Sequence, residues 1–261
     1  MTKKRKSQNN RWCIIPNQLI LKSCKAKEGS KEEFCFPVYW YSIVNANYAD
    51  NGIVDTNISL IQSTIANFGR TFQQISKIKE TLKDFGTGEN KCIDYRYRLD
   101  NVESHTRLQF YVRPYKKEDC EGGFTIFEYD EYHYIMDTVY SQQINKDENE
   151  RSYNTIILIN LFGYMKMRIN QYDSMGGSHH MNESQKTIAE VFGKSNKTIA
   201  TYLKRLEKIG MIKKIEGELE RPVGGFRKKS GNGKNVKANK TNDWYVLSDD
   251  WRNNFDGTTG N

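Results

Sequence analysis

Two stretches of this chain, 124 positions apart, carry the same local pattern without a gap. In the first, Phe68-Gly69-Arg70-Thr71 leads to Ile75, Leu82, Phe85 and Gly86. In the second, Phe192-Gly193-Lys194-Ser195 leads to Ile199, Leu203, Leu206, Ile209 and Gly210. Each copy offers a glycine for a tight turn, then a hydroxyl that can cap a helix, then apolar residues at helical spacing, then a glycine to end it. Self-similarity at a fixed offset predicts a duplicated module. The fold expected is therefore α+β, mainly α, with two tandem copies of one small unit.

The flanking residues fill in each unit. Residues 36–85 read as helices. Tyr39, Trp40, Ile43, Val44 and Tyr48 have helical spacing before a turn at Ala49-Asp50-Asn51-Gly52. Asp55 or Thr56 is a candidate cap for a second helix with Ile58, Ile61, Ile65 and Phe68 on one face. Thr71 is a candidate cap for a third, with Phe72, Ile75, Ile78, Leu82 and Phe85 as its stripe. After Gly86 the period becomes two. Tyr95, Tyr97 and Leu99 alternate with Arg96, Arg98 and Asp100, and Leu108, Phe110 and Val112 alternate with polar neighbours, which predicts a β-hairpin.

The second unit starts near Tyr153. Ile156–Ile169 is too apolar to be an exposed helix and should be a core element. Ser184 and Ser195 cap two short helices separated by Gly193, and Met211–Glu216 pairs with Trp244–Leu247. Between those strands lies a stretch rich in Gly, Lys and Asn. The expected organisation is a basic arm over 1–11, a first module over 12–114, a connector over 115–152, a second module over 153–250 and a tail over 251–261. The connector should hold a short strand near Phe124–Tyr129 and a Tyr-rich helix to about 144.

Charge singles out the second unit. The chain carries a net charge of +8. Residues 184–240 hold fifteen Lys and Arg against five Glu, while the last 21 residues hold one Arg against four Asp. One basic block on a mildly acidic body fits a polyanion-binding face. In a helix starting at Ser195, the apolar Ile199, Leu203, Leu206 and Ile209 take one face. Asn196, Lys197, Thr198, Ala200, Thr201 and Lys204 take the rest. A helix fits the major groove, where Asn and Thr can hydrogen-bond base edges and the small Ala200 permits close approach. Lys194, Arg205 and Lys208 flank it and suit phosphates, which position a protein without reading sequence. Arg221, Arg227, Lys228, Lys229, Lys234, Lys237 and Lys240 would line an extended basic wing between the last two strands. The corresponding positions of the first unit, Arg70, Gln73, Gln74 and Lys77 with Arg96, Arg98 and Arg107, are less basic. They would form a second, weaker DNA contact or leave that unit to dimerise.

With these residues set out, a resemblance can be stated. Ser184–Ile215, SQKTIAEVFGKSNKTIATYLKRLEKIGMIKKI, resembles the winged helix-turn-helix of bacterial DNA-binding proteins. The likeness is carried by Ala189, Gly193, Ser195-Asn196-Lys197-Thr198-Ile199 and the run LKRLEKIGMI into the wing. With the wing it covers about a third of the chain. Two such units joined by a hydrophobic linker resemble the plasmid replication initiators of Gram-positive bacteria, with RWCIIPNQLI and NGIVDTN loosely similar to that group. The resemblance implies double-stranded DNA as partner, repeated origin sites as target and recruitment of host replication proteins; a homodimer is the further partner that dimerisation of the first unit would give. An operator-binding regulator and an adaptor with one DNA-binding and one protein-interaction module are the alternatives.

Other chemistry is not indicated. Gly193-Lys194-Ser195 resembles the end of a phosphate-binding loop, but Ile188 stands where the first glycine is required. His179-His180 lacks a spaced partner, and His105 and His133 are isolated. Tyr129, Tyr132, Tyr134 and Tyr140 read as interfacial packing. No catalytic pair, metal set or cofactor motif stands out, so a non-enzyme is expected, with no metal and no cofactor. Five cysteines without CxxC spacing point to reduced thiols and a cytoplasmic setting. No apolar run approaches the roughly 20 residues of a bilayer span, so no membrane is expected as a partner.

Overall fold

The computed structural model describes residues 11–47, 52–65, 71–87, 91–95, 99–144, 154–174, 180–181, 183–215, 219–220, 239–240 and 244–254. The fold is α+β, mainly helical, with small antiparallel sheets. The chain opens with strand β1 (Trp12–Pro16) and helix α1 (Asn17–Cys24). Then comes α2 (Cys35–Val44), all ten residues of which are buried. A helix apolar on every side must be central. Strand β2 (Ile53–Thr56), helix α3 (Ile58–Ile65) and helix α4 (Thr71–Gly86) follow, then β3 (Ile93–Tyr95) and β4 (Leu108–Val112). These three strands form one sheet in the order β2-β4-β3.

Three details differ from the sequence reading. Residues 53–56 are a strand, not helix or cap: the β-branched Ile53, Val54 and Thr56 suit a pleat, and Val54 and Thr56 turn inward opposite Phe110 and Leu108. The cap of α3 is accordingly Asn57, whose Oδ1 accepts the Leu60 N–H at 2.8 Å, rather than Asp55 or Thr56. Leu99 lies in a 3-10 turn (Leu99–Asn101) rather than in the hairpin strand, because the turn buries it while β3 pairs only through Tyr95. Ala49–Asn51 and Tyr97 lie outside the described residues.

The connecting segment carries β5 (Phe124–Glu128) and α5 (Tyr129–Ile144). β5 pairs antiparallel with β1, from Trp12 opposite Glu128 to Pro16 opposite Phe124. Asn17 locks this junction: its backbone N–H donates to the Gly123 carbonyl at 3.0 Å, and the Thr125 hydroxyl donates to its side-chain oxygen at 2.8 Å. The second half contains α6 (Thr155–Ser174), α7 (Gln185–Phe192), α8 (Asn196–Lys208) and β6 (Ile212–Ile215). Short strands β7 (Leu219–Glu220) and β8 (Asn239–Lys240) pair beyond β6, then come β9 (Trp244–Leu247) and the short helix α9 (Asp250–Asn254). β6 pairs with β9, and Met181 exchanges two backbone hydrogen bonds of 2.8 Å with Tyr245 of β9. In the first half β4 lies between β2 and β3, and in the second β9 pairs with β6 and is bridged by Met181 on its other side.

The two halves share one hydrophobic core. Trp40 of α2 stacks between Phe36 and Phe162 and meets Phe127 and Tyr132. Gly163 of α6 lets α2 approach: a Cβ there would collide with the Phe36 ring. Beside it, the buried Lys166 of α6 makes an ion pair with the buried Glu131 of α5, its ammonium 5.2 Å from the Phe127 ring. Burial pushes the Glu131 carboxyl upward, and the lysine opposes that. No helix of the described residues is long and apolar enough to cross a membrane.

Candidate nucleic-acid interface

The α7–α8 turn is built from its caps. Ser184 Oγ accepts the Thr187 N–H at 3.1 Å, and Ser195 Oγ accepts the Thr198 N–H at 3.1 Å. Between them Gly193 takes φ +57°, the left-handed conformation that a glycine adopts without penalty. Gly210 ends the unit the same way at φ +75°. The caps leave the first turn of α8 with free N–H groups and the positive end of the helix dipole, an arrangement that favours anions.

Packing then fixes which face of α8 is free. Ile199, Tyr202, Leu203 and Leu206 are buried, and the Tyr202 hydroxyl accepts the Asn154 N–H at 2.8 Å. Asn196, Lys197, Thr201 and Lys204 share the opposite face and are exposed, with Ala200 half-buried among them. Lys208 extends this face and Lys213 of β6 is exposed beyond it. Lys197, Lys204 and Lys208 form no ion pair with another described residue. The Thr201 hydroxyl donates to the Lys197 carbonyl at 2.9 Å, so it presents its methyl and its acceptor lone pairs outward.

Other predicted residues occupy different positions. Lys194 is largely covered and makes an ion pair with Glu28, in the loop after α1. That carboxylate competes with any phosphate for it. Ser195 and Thr198 share a hydroxyl contact of 2.8 Å, so their polar atoms complete the cap. Arg205 is half-buried and engaged. Arg227, Lys228, Lys229, Lys234 and Lys237 lie outside the described residues, as do Arg221, Arg70, Arg96, Arg98 and His179.

The matching helix of the first half is arranged otherwise. Gln74 accepts a hydrogen bond from Gln62 at 2.9 Å, and Lys77 pairs with Glu80 at 3.0 Å. Gln73, Gln74 and Lys77 line a small cleft with Glu28, Glu33 and Asn154, between the halves. Arg107 makes a two-pronged ion pair with Asp55 across β2 and β4, and this holds the Asp55 carboxyl down at about 2. Gln74, Lys77 and Arg107 are thus engaged, and Gln73 alone of the four is exposed without a described partner. Lys79 donates to the Val102 carbonyl at 2.9 Å, so it too is tied inward.

All five cysteines are buried free thiols. Burial pushes the thiol of Cys13 up to about 12 and those of Cys35 and Cys92 to about 11, so none forms a thiolate near neutral pH. Among the described residues no group of three His, Cys, Asp or Glu side chains could hold a metal ion. Glu28 is the participant that sequence reasoning missed: it lies 166 positions from Lys194, and no local pattern announces the pair. Comparison with protein-family models, curated proteins and solved structures finds no match to this chain.

Proposed function

We propose that this chain is a sequence-specific double-stranded DNA-binding protein made of two winged-helix modules, in which α8 enters the major groove. The observation that carries this reading is the exposed face of α8, where Asn196, Ala200 and Thr201 sit among Lys197 and Lys204, neither ion-paired with another described residue, on a helix whose first turn is capped by Ser195. Asn196 and Thr201 would meet base edges, while Lys197, Lys204 and Lys208 would neutralise phosphates. The basic stretch between β6 and β9, with Lys228 and Lys229, would follow the backbone or the minor groove as a wing.

The biological role proposed is initiation of plasmid or phage replication at repeated origin sites, without catalysis by the chain itself. Binding energy, a second copy of the chain and host replication proteins would supply the opening of adjacent DNA. One observation favours the adaptor as second reading: the polar residues of α4 are held by Gln62 and Glu80 and face the cleft between the halves. The first module would then scaffold the second or bind protein. Pull-down of fragmented replicon DNA with the purified protein, followed by sequencing, tests the role. Clustered direct repeats support initiation, and a single inverted repeat at a promoter replaces it with operator binding. Uniform recovery of all fragments removes the claim of specificity.

A further inference from the structure

The loop after α1 is brought to the α7–α8 turn by the fold, and its construction is specific. The Lys25 N–H donates to the Leu21 carbonyl, ending α1, and the Ser30 N–H donates to the Lys27 carbonyl at 3.0 Å, closing a tight turn. Gly29 sits in that turn at φ +76°, with open space around it. Its N–H donates at 2.7 Å to the carboxylate of Glu33, a buried residue whose own carbonyl accepts from Asn160 of α6 at 3.1 Å. The turn is therefore fastened to the first helix of the second half. At its tip Glu28 meets Lys194, the residue just before the cap of α8.

A consequence follows for charge. Lys194 is neutralised, so the α7–α8 turn has lost the cation that its sequence offers. Lys25 and Lys27 belong to the same loop as Glu28, both exposed and neither ion-paired with another described residue. A helix that reads the major groove through its N-terminal residues brings its preceding turn over one phosphate strand. Duplex DNA carries a charge about every 1.7 Å along its axis, so cations next to that turn have phosphates within reach.

We propose that the turn Lys25–Ser30 is a second phosphate-binding element, in which Lys25 and Lys27 grip the DNA backbone next to α8 and Glu28 is the positioning residue that anchors the turn through Lys194. This rests on the reading of α8 as the DNA-contacting helix. It gives the first half a part in DNA binding through its α1 loop rather than through α4.

The test is equilibrium binding of the full chain to a labelled duplex of arbitrary sequence, over a range of salt. Wild type is compared with a Lys25→Ala/Lys27→Ala variant and a Lys197→Ala/Lys204→Ala variant. All four substitutions are at exposed positions. Loss of two phosphate contacts should flatten the salt dependence by about two units of slope, so the drop in affinity between about 50 and about 200 mM salt shrinks roughly tenfold. Both variants should show this. If Lys25→Ala/Lys27→Ala keeps the wild-type slope while Lys197→Ala/Lys204→Ala loses it, α8 binds DNA and the α1 turn does not, which overturns the proposal alone. If wild type fails to bind the duplex, the reading of α8 fails and the proposal fails with it.

Discussion

Helices α4 and α8 carry the two copies of the sequence pattern, and each buries an apolar stripe, although Lys79 of α4 stands where α8 has the buried Leu203. Ile78, Leu82 and Phe85 are buried on α4 as Tyr202, Leu206 and Ile209 are buried at the end of the second unit. Their polar faces part company. On α8 the exposed face keeps Asn196, Lys197, Thr201 and Lys204 available, whereas on α4 Gln74 and Lys77 are bound to Gln62 and Glu80. Two helices of similar apolar pattern thus carry different surfaces. Buried residues are constrained by volume and stay alike, while exposed residues cost little to change and so diverge freely in charge and partners.

The largest expected effect concerns the core that joins the halves. Lys166→Met removes the partner of the buried Glu131 and should cost about 3–5 kcal/mol at neutral pH. Burial raises the Glu131 pKa in the folded state, so without its lysine the carboxyl folds best when protonated. The variant should regain stability as pH falls and lose it as pH rises through the folded pKa. Urea unfolding at several pH values measures this. Separate transitions for the two halves would contradict the shared core, and a loss independent of pH would contradict the burden placed on the Glu131 carboxyl.

Next comes specificity. Asn196→Ala and Thr201→Ala should each reduce discrimination between sites by about 1–3 kcal/mol, whereas Gln73→Ala and Gln74→Ala on α4 should leave it unchanged. Competition binding with matched and mismatched duplexes separates the two helices. A loss of discrimination in the α4 variants would make the modules equivalent readers. Lys204→Ala should weaken binding to all sequences alike and lower the salt slope by about one unit. Arg107→Ala should alter neither affinity nor footprint length; a shortened footprint would place the first hairpin on DNA.

The smallest effect belongs to Asp55→Asn. The Asp55–Arg107 pair is exposed, so its contribution should stay below about 1 kcal/mol. Because the folded carboxyl is held down at about 2, that contribution is present above the ordinary aspartate pKa and disappears as pH falls towards 2. Wild type should lose this small increment across that acidic window, and Asp55→Asn should not.

Much of the helical frame was legible because helices and their caps are local. Ser184, Gly193 and Ser195 announced the α7–α8 turn within a dozen residues, and the run from Ile156 announced a core helix. The strand over Phe124–Glu128 and the helix after it were also visible as local periodicity. What escaped depends on distant partners. β1 finds β5 across more than a hundred residues, and β2 is strand because β4 lies beside it. The candidate site divides the same way. The free face of α8 follows from spacing alone, and so does the Lys77–Glu80 pair three residues apart on α4, but the covering of Lys194 by Glu28 is decided by packing.

The most direct test of the central claim is selection from a random-sequence duplex library, run in parallel with wild type and Asn196→Ala. If α8 reads bases, wild type should enrich one defined motif, and the variant should relax the motif at a single position while still binding DNA. Enrichment of the same motif by both proteins, or of none by wild type, would contradict it.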